Sequence, residues 1–212
     1  AAIAALESAI ALRPSAELTE RLKQLQAQLK AARLETLLAT GYDALRAGSY
    51  EAARTSYKEA AALAPASKEA RTGLEKASSL YLANIRYSQS VSTAAKYLKA
   101  GRFPLAAKFF NEAMSSRPSN VPPSQLAEEA RIRSELAVQS REVAIAIESD
   151  KRTYVSLIGV FPPDRFKEKD LNLFPDVYKL KGTRKGYKDV EIELKIDARQ
   201  KSHTVEVICT EK

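Results

Sequence analysis

The stretch that decides the fold is GYDALRAGSYEAARTSYKEAAALAP, residues 41–65, which has a counterpart in YLKAGRFPLAAKFFNEAMSSRP, residues 97–118. Each copy contains a glycine, then alanines around one aromatic ring (Tyr57 or Phe110), and ends on a proline. A glycine at a helix end permits the left-handed backbone of a tight turn, and alanine lets two helices approach closely. The two copies therefore predict pairs of antiparallel helices.

The prolines give these copies a regular period. Pro14, Pro65 and Pro118 follow one another at intervals of 51 and 53 residues, and the residues before Pro14 form a third, truncated copy. Gly48 and Gly101 are the predicted turn glycines. The alanines expected at the closest helix contacts are Ala53, Ala60, Ala106 and Ala113.

The order of glycine, alanine, aromatic, alanine and proline resembles the tetratricopeptide repeat, which is a stack of antiparallel helical hairpins. The period here exceeds the usual value of about 34 residues, so the resemblance implies long first helices, over residues 16–47 and 67–100. The middles of these helices, near residues 29–33 and 82–87, are the expected places for a kink. A last helix, predicted over residues 123–148, would cap the array.

The C-terminal part of the chain alternates apolar and polar residues with the period of a β-strand. This alternation is clearest in residues 190–196 and 205–209, and further strands are predicted over residues 153–160, 167–173 and 176–184. Five short strands with tight turns indicate a small antiparallel β-sandwich. The predicted fold class is therefore α+β, with long helical hairpins followed by an all-β sandwich.

The run LNLFPDVY, residues 171–178, followed by GTRKGYKDV, residues 182–190, resembles the PEGA domain. That family combines leucines, a Pro-Gly turn, an aromatic strand residue and a Gly-Tyr hairpin. Asp176 stands where the family has glycine, and residues 161–164 take the place of the Pro-Glu-Gly-Ala turn. PEGA domains are common in bacterial envelope proteins, often behind a membrane anchor, so the resemblance implies an extracytoplasmic location.

Composition changes near residue 150, which predicts a helical domain over residues 1–149 and a β domain over residues 150–212 that fold independently. The chain has 34 Lys and Arg against 26 Asp and Glu, a net charge of +8. Because the two signs are interspersed, neither half is a dedicated cationic module. We expect no sequence-specific nucleic-acid binding.

Residue types that support catalysis or metal binding are scarce in this sequence. There is one histidine, His203, and one cysteine, Cys209, which excludes an intrachain disulfide and a Cys/His zinc cluster. Acidic pairs of the Asp-x-Asp type and a Gly-rich phosphate loop are missing. We expect His203 at a surface turn, Cys209 on the apolar side of its strand, and no catalytic residue, metal or cofactor.

One predicted hairpin concentrates basic residues around two aromatic rings. It offers contacts to phosphate, to an anionic lipid headgroup or to an acidic glycan. Neighbouring acidic residues dilute its charge, and a solvated strand face is the alternative. The candidate residues are Tyr178, Lys179, Lys181, Arg184, Lys185 and Tyr187, with Lys188 beside them.

The repeat register also predicts an apolar groove on the concave face of the hairpins. Exposed apolar grooves usually meet a partner segment or another part of the same chain, and the sequence leaves both open. The predicted groove residues are Leu38, Tyr42, Leu45 and Arg46 on one hairpin and Val91, Ala95, Leu98 and Lys99 on the next.

Together these features predict a non-enzymatic scaffold of the bacterial cell envelope that binds a protein partner through its helices. The alternative is a glycan- or peptidoglycan-binding protein in which Tyr178 and Tyr187 contact the sugar. The chain opens as if in the middle of an amphipathic helix, so we expect a fragment of a larger protein. No run reaches the roughly 20 apolar residues of a membrane span, and we expect a periplasmic fragment anchored in the inner membrane by an upstream segment.

Overall fold

The computed structural model describes residues 2–212, which form six α-helices followed by seven β-strands. The helices are α1 (Ala2–Leu12), α2 (Ala16–Arg46), α3 (Tyr50–Leu63), α4 (Lys68–Lys99), α5 (Phe103–Ser115) and α6 (Pro123–Val138). The strands are β1 (Val143–Glu148), β2 (Tyr154–Leu157), β3 (Phe161–Asp164), β4 (Glu168–Leu173), β5 (Val177–Thr183), β6 (Val190–Lys195) and β7 (Ser202–Glu206). None of the helices in this described part is both long and apolar enough to cross a membrane.

The chain divides into two compact units. One unit runs to Ile85 and includes Arg117–Pro122, and the other combines Arg86–Ser116 with Pro123–Lys212. The division falls within α4, so the second unit contains helices as well as both sheets. The composition change near residue 150 lies inside the second unit.

The two long helices match their predicted bounds closely. The helix predicted over residues 16–47 is α2, which ends at Arg46, and the one predicted over residues 67–100 is α4. Serines begin both: the backbone N–H of Leu18 donates to Ser15 Oγ at 3.5 Å, and that of Ala70 donates to Ser67 Oγ at 3.2 Å. Each serine satisfies an amide that the first turn of a helix leaves unpaired.

Tyr57 connects α3 with both long helices in the first unit. Its buried ring lies so close to Gly41 in α2 and to Gly73 in α4 that a Cβ atom would come within 2.8 Å of the ring at Gly41 and 2.2 Å at Gly73. Ala53 and Ala60, on the same helix as Tyr57, are fully buried. As the sequence predicts, small residues bring the helices together and one aromatic ring fills the space between them.

The turn after α2 is closed by Asn120. Gly48 has a φ of +72°, the left-handed conformation expected of this glycine. The Asn120 side-chain amide donates to the backbone oxygens of Leu45 at 3.3 Å and Arg46 at 3.2 Å. The Tyr50 hydroxyl donates to the Asn120 carbonyl oxygen at 2.7 Å. These bonds satisfy carbonyl groups at the end of α2 and fasten the segment around Asn120 to the first unit.

The helices of the second unit repeat this pattern of small and aromatic residues. Ala106, Ala113 and Phe110 of α5 are buried, and Gly101 has a φ of +72°. On α4, the fully buried Tyr87 donates a hydrogen bond from its hydroxyl to Glu129 Oε2 of α6 at 2.8 Å. A second polar contact, from Gln125 Nε2 to Ser88 Oγ at 3.0 Å, joins the same two helices.

The strands form two sheets that share one apolar core. The three-stranded sheet has the order β4-β1-β7 and the four-stranded sheet the order β3-β2-β5-β6. β1 and β7 are parallel, whereas the other pairs are antiparallel. The core draws on both sheets through buried residues such as Ile145, Leu157 and Leu180. The fold is α+β.

The prediction that the last helix continues to residue 148 is wrong. α6 ends at Val138, and the chain then forms β1, the central strand of its sheet. Val143 and Ile147 lie four residues apart, a spacing that also fits a helix face. In the structure Val143, Ile145 and Ile147 are all buried and their neighbours face outward, which is the period of a strand.

Two further boundaries in the sandwich differ from the prediction. The two prolines of Phe161–Asp164 predict a turn, but the segment forms β3 at the edge of the four-stranded sheet, where proline is tolerated. The strand predicted over residues 205–209 begins earlier, at Ser202. His203 therefore lies within β7, partly buried, rather than at a surface turn.

Side chains bind α6 and the turn after α4 to the sandwich. Gln139 Nε2 donates to Asp197 Oδ1 at 2.8 Å, and Arg199 forms an ion pair with Glu135 of α6. These contacts explain why helices and sheets share the second unit. A further ion pair joins Arg102 Nε to Asp176 Oδ1 at 3.1 Å.

Candidate protein-binding cleft

Three of the residues predicted to line the concave groove are core residues. Leu45, Val91 and Leu98 are buried, and Leu45 packs with Tyr50 and Tyr57 in the core of the first unit. At most 9% of each residue is exposed, so the three offer a partner little area. The repeat register identifies them as apolar and on a common face, but it does not reveal that the fold covers that face.

Leu38 and Tyr42 line an open cleft in the first unit, with a volume of about 460 Å³. Tyr42 is 57% exposed, although it is a large aromatic residue, and Leu38 is half-buried. Helix α2 forms most of the cleft, and α3 and α4 contribute one residue each. The lining residues are Ala31, Leu34, Glu35, Leu38, Ala39, Tyr42, Tyr57 and Glu69.

The spacing of the α2 residues explains the shape of the cleft. Positions 31, 34, 35, 38, 39 and 42 recur at three- and four-residue intervals, which places them on one helix face. Ala31 and Ala39 are small, and Tyr42, the last of these positions, carries an exposed ring. The same spacing is visible in the sequence, and it is the signal by which Ala31, Leu34 and Ala39 could have been found.

The charges that line the cleft are negative. Glu35 and Glu69 are its only charged lining residues in the described part of the chain. Burial, and then the nearby Glu69 carboxylate and Tyr42, raise the pKa of Tyr57. The Arg46 guanidinium carbon lies 6.0 Å from the centroid of the Tyr42 ring, at the outer limit of a cation–π contact, and Arg46 does not line the cleft.

The remaining predicted groove residues lie in the second unit. Ala95, Leu98 and Lys99 line a different cleft, of about 510 Å³, together with Lys96, Arg131 and Glu135. Its charges are mixed. The structure therefore distributes the predicted groove residues over two separate clefts.

Most cations of the predicted basic hairpin are paired with carboxylates. Lys181 Nζ lies 3.0 Å from Asp189, which raises the pKa of Lys181 through their hydrogen bond. Arg184 is 3.3 Å from Asp150. Lys188 is paired with Glu211 at 3.2 Å. Lys179 lies opposite Glu193 on the neighbouring strand. Lys185 is exposed in the turn. The alternation of charges is that of a solvated strand face.

Neither aromatic ring of this hairpin forms an open platform for a sugar. Tyr178 packs against the sandwich core, and its hydroxyl donates to the Phe174 carbonyl oxygen at 3.0 Å. Burial raises the pKa of Tyr178. The Tyr187 ring is covered by Arg184, whose guanidinium carbon lies 4.1 Å from the ring centroid.

Cys209 is buried, as its place in the apolar pattern predicts. Its backbone N–H donates to Thr153 Oγ1 at 3.1 Å. Among the residues that the structure describes, no group of histidines, cysteines and carboxylates is arranged to hold a metal ion.

Comparison with known proteins finds no matching family model, no matching curated protein and no matching solved structure. What the cleft binds is therefore inferred from its own shape and charge.

Proposed function

We propose that this chain is a non-enzymatic protein-interaction scaffold and that the cleft at Tyr42 holds a segment of the partner. The observation that carries this proposal is that the aromatic side chain of Tyr42 is exposed in a cleft lined by apolar residues of α2. Tyrosine is enriched among the residues that contribute most to binding at protein interfaces, because it combines a large apolar area with little conformational freedom.

The charge of the cleft restricts the kind of segment it accepts. Leu34, Leu38 and Ala39 offer apolar contacts, and Glu35 and Glu69 place carboxylates beside them. A matching segment has two or three apolar side chains spaced to meet the α2 stripe and a Lys or Arg to meet a carboxylate. Apolar contact supplies most of the affinity of such pairs, and the charges set their orientation.

We also propose that the helices are tetratricopeptide-like repeats and that the strands form a PEGA-like sandwich. Two observations support the repeat assignment: Gly48 and Gly101 adopt left-handed turns, and the ring of Tyr57 packs between two glycines of neighbouring helices. Two sheets around a common core support the sandwich assignment. An envelope location follows from the PEGA resemblance alone and is part of the same proposal.

Peptides selected from a random phage-displayed library on the folded chain provide a probe for the cleft. We expect Tyr42→Ala to weaken binding of a selected, fluorescein-labelled peptide about tenfold, equivalent to about 1.4 kcal/mol. Glu35→Lys should weaken it as well, because it reverses the charge beside the apolar floor. Fluorescence anisotropy measures both affinities, and thermal melts should be nearly unchanged because both side chains are exposed.

Leu82→Ala is the matched control, since Leu82 is 52% exposed on the other long helix and does not line the cleft. It should bind the peptide as the unmodified chain does. If the selected peptides bind Tyr42→Ala and Glu35→Lys at full strength, the cleft is not the binding site and the proposal fails.

A further inference from the structure

The two edges of the four-stranded sheet are built differently. β3, at one edge, contains Pro162 and Pro163, and its register with β2 is irregular. Prolines and irregular register usually protect an edge strand, because they hinder another strand from pairing with it. β6, at the other edge, has no proline, and its register with β5 is unbroken from Val190 to Lys195. β6 therefore lacks both protections.

The backbone of β6 presents hydrogen-bonding groups on its outer side. The Ile196 N–H donates to the Asp176 carbonyl oxygen at 2.9 Å, which directs the backbone of Ile196 toward β5. Because these groups alternate in direction along a strand, the even-numbered residues of β6 bond to β5 and the odd-numbered residues point away. The odd-numbered residues are Glu191, Glu193 and Lys195. In the described part of the chain, β5 is the only strand that pairs with β6.

The side chains of the same three residues carry both signs of charge. Glu191, Glu193 and Lys195 are exposed, while the residues between them pack against the sandwich core. The other edge strands differ, because the exposed residues of β3 and β7 include no lysine or arginine. The exposed residues of β4 are Glu168, Asp170 and Asn172. Of the four edge strands that the structure describes, only β6 exposes carboxylates together with a cation.

We propose that β6 pairs with β6 of a second copy of this chain, antiparallel and with Glu193 opposite Glu193. A two-fold axis at Glu193 makes every other contact occur twice. Glu191 of each copy then lies opposite Lys195 of the other copy, at the separation of about 5 Å between Cβ atoms that is typical of directly opposed residues. The outward N–H and C=O groups of the two strands complete each other's hydrogen bonds, so the two sheets become one.

The charges favour this register over its neighbours. A pairing centred on Ile192 would place Glu191 opposite Glu193 twice, and both pairs would repel. A pairing centred on Leu194 would shorten the stretch of β6 that pairs. In the proposed register the two Glu193 side chains form the one like-charged pair within β6. Lys195 Nζ lies 3.3 Å from Glu193 Oε1 of its own chain and offsets that repulsion.

Two single charge reversals and their mixture test the proposal on the full chain. Glu191→Lys and Lys195→Glu each place like charges opposite one another, and each should weaken self-association at least about tenfold. In an equimolar mixture of the two variants, a mixed dimer has unlike charges at both positions. It should form with about the affinity of the unmodified dimer. Sedimentation equilibrium measures the dissociation constants.

Two further variants separate the effects of charge and backbone. Glu206→Lys is the matched control, because it reverses an exposed carboxylate on β7, at an edge of the other sheet. It should leave the affinity of the dimer within about twofold of the unmodified value. Glu193→Pro removes the outward N–H at the centre of the pairing and keeps the bonds of β6 to β5. It should abolish the dimer with little change in melting temperature, since an edge strand tolerates proline there.

An unmodified chain that stays monomeric up to about 1 mM would overturn the proposal. So would single reversals that dimerise as the unmodified chain does, or a mixture that associates no better than its components. A dimer that Glu206→Lys weakens as much as Glu191→Lys does would place the contact on another surface. If Glu193→Pro fails to fold, the mixed dimer still decides, because both of its components keep the backbone of β6 unchanged.

Discussion

At the scale of single residues, Tyr57 shows how the sequence specifies close helix packing. Its ring occupies the space that Gly41 and Gly73 leave on two different helices. The repeat pattern predicts Tyr57 as the residue between hairpins, because large aromatic and small residues recur there together. It does not identify Gly73 as the second contact, since that glycine lies outside the repeated positions and meets the ring only through tertiary packing.

We expect Gly73→Ala to destabilise the first unit despite the better helix propensity of alanine. The propensity gain is about 1 kcal/mol, but the new Cβ would lie 2.2 Å from Tyr57 Cε1 and force the helices apart. Overpacking of this kind costs about 1 to 3 kcal/mol. Urea denaturation measures the loss.

A double-mutant cycle with Tyr57→Leu provides the control for Gly73→Ala. If the ring causes the clash, Gly73→Ala should cost much less free energy of unfolding in the Tyr57→Leu background. Equal costs in both backgrounds would show that the ring and Gly73 are not in contact.

The residues of the cleft show the same limit of sequence reasoning. The repeat register predicts Leu38 and Tyr42 as groove residues, and both line the cleft. The sequence does not predict Glu69 as a cleft residue, because Glu69 lies in the first turn of α4 and only the packing of α4 brings it to the cleft on α2. The repeat register predicts Leu45 in the exposed groove, but Leu45 is buried in the core. The period of a helix identifies its apolar face but does not show which other part of the chain packs against that face.

At the scale of elements, the helices follow from the sequence more directly than the strands. The two long helices, predicted over residues 16–47 and 67–100, begin and end within about one residue of the observed bounds. β1 was missed because valine and isoleucine at 143 and 147 satisfy a helix period as well as a strand period. Only pairing with β4 and β7 decides between them.

We expect residues 151–212 not to fold when they are produced alone. This fragment lacks β1, so β4 and β7 lose the strand between them and the core loses Val143, Ile145 and Ile147. A fragment of residues 123–212 retains β1 and α6 and should fold. Dispersed amide NMR spectra for both fragments would contradict this expectation and would support the predicted domain boundary near residue 150.

At the scale of the whole molecule, an ion pair links the sandwich to helix α6. Arg199 hydrogen-bonds to Glu135 and holds the pKa of that carboxyl below its ordinary value of 4.5. A lowered pKa means that the folded state binds this proton less tightly than the unfolded state does. The stabilisation is therefore complete above pH 4.5 and is lost as the pH falls through the lowered pKa.

We expect Glu135→Gln to lower the urea midpoint of the second unit at neutral pH and to have little effect in strong acid. The NMR signals of the β1 amides report this transition. Glu193→Gln is the control, because Glu193 is exposed on a strand of the four-stranded sheet and its partner Lys195 is exposed too. A deficit in Glu135→Gln that persists unchanged in strong acid would show that the ion pair with Arg199 is not its cause.

The central claim is that the cleft at Tyr42 is the site where this chain holds a protein segment. Amide NMR mapping of the full chain with a library-selected peptide tests it most directly. We predict that the largest shifts fall on Ala31, Glu35, Ala39 and Tyr42, which line one face of α2. Shifts confined instead to Lys96, Lys99 and Arg131, which line the cleft of the second unit, would contradict the claim.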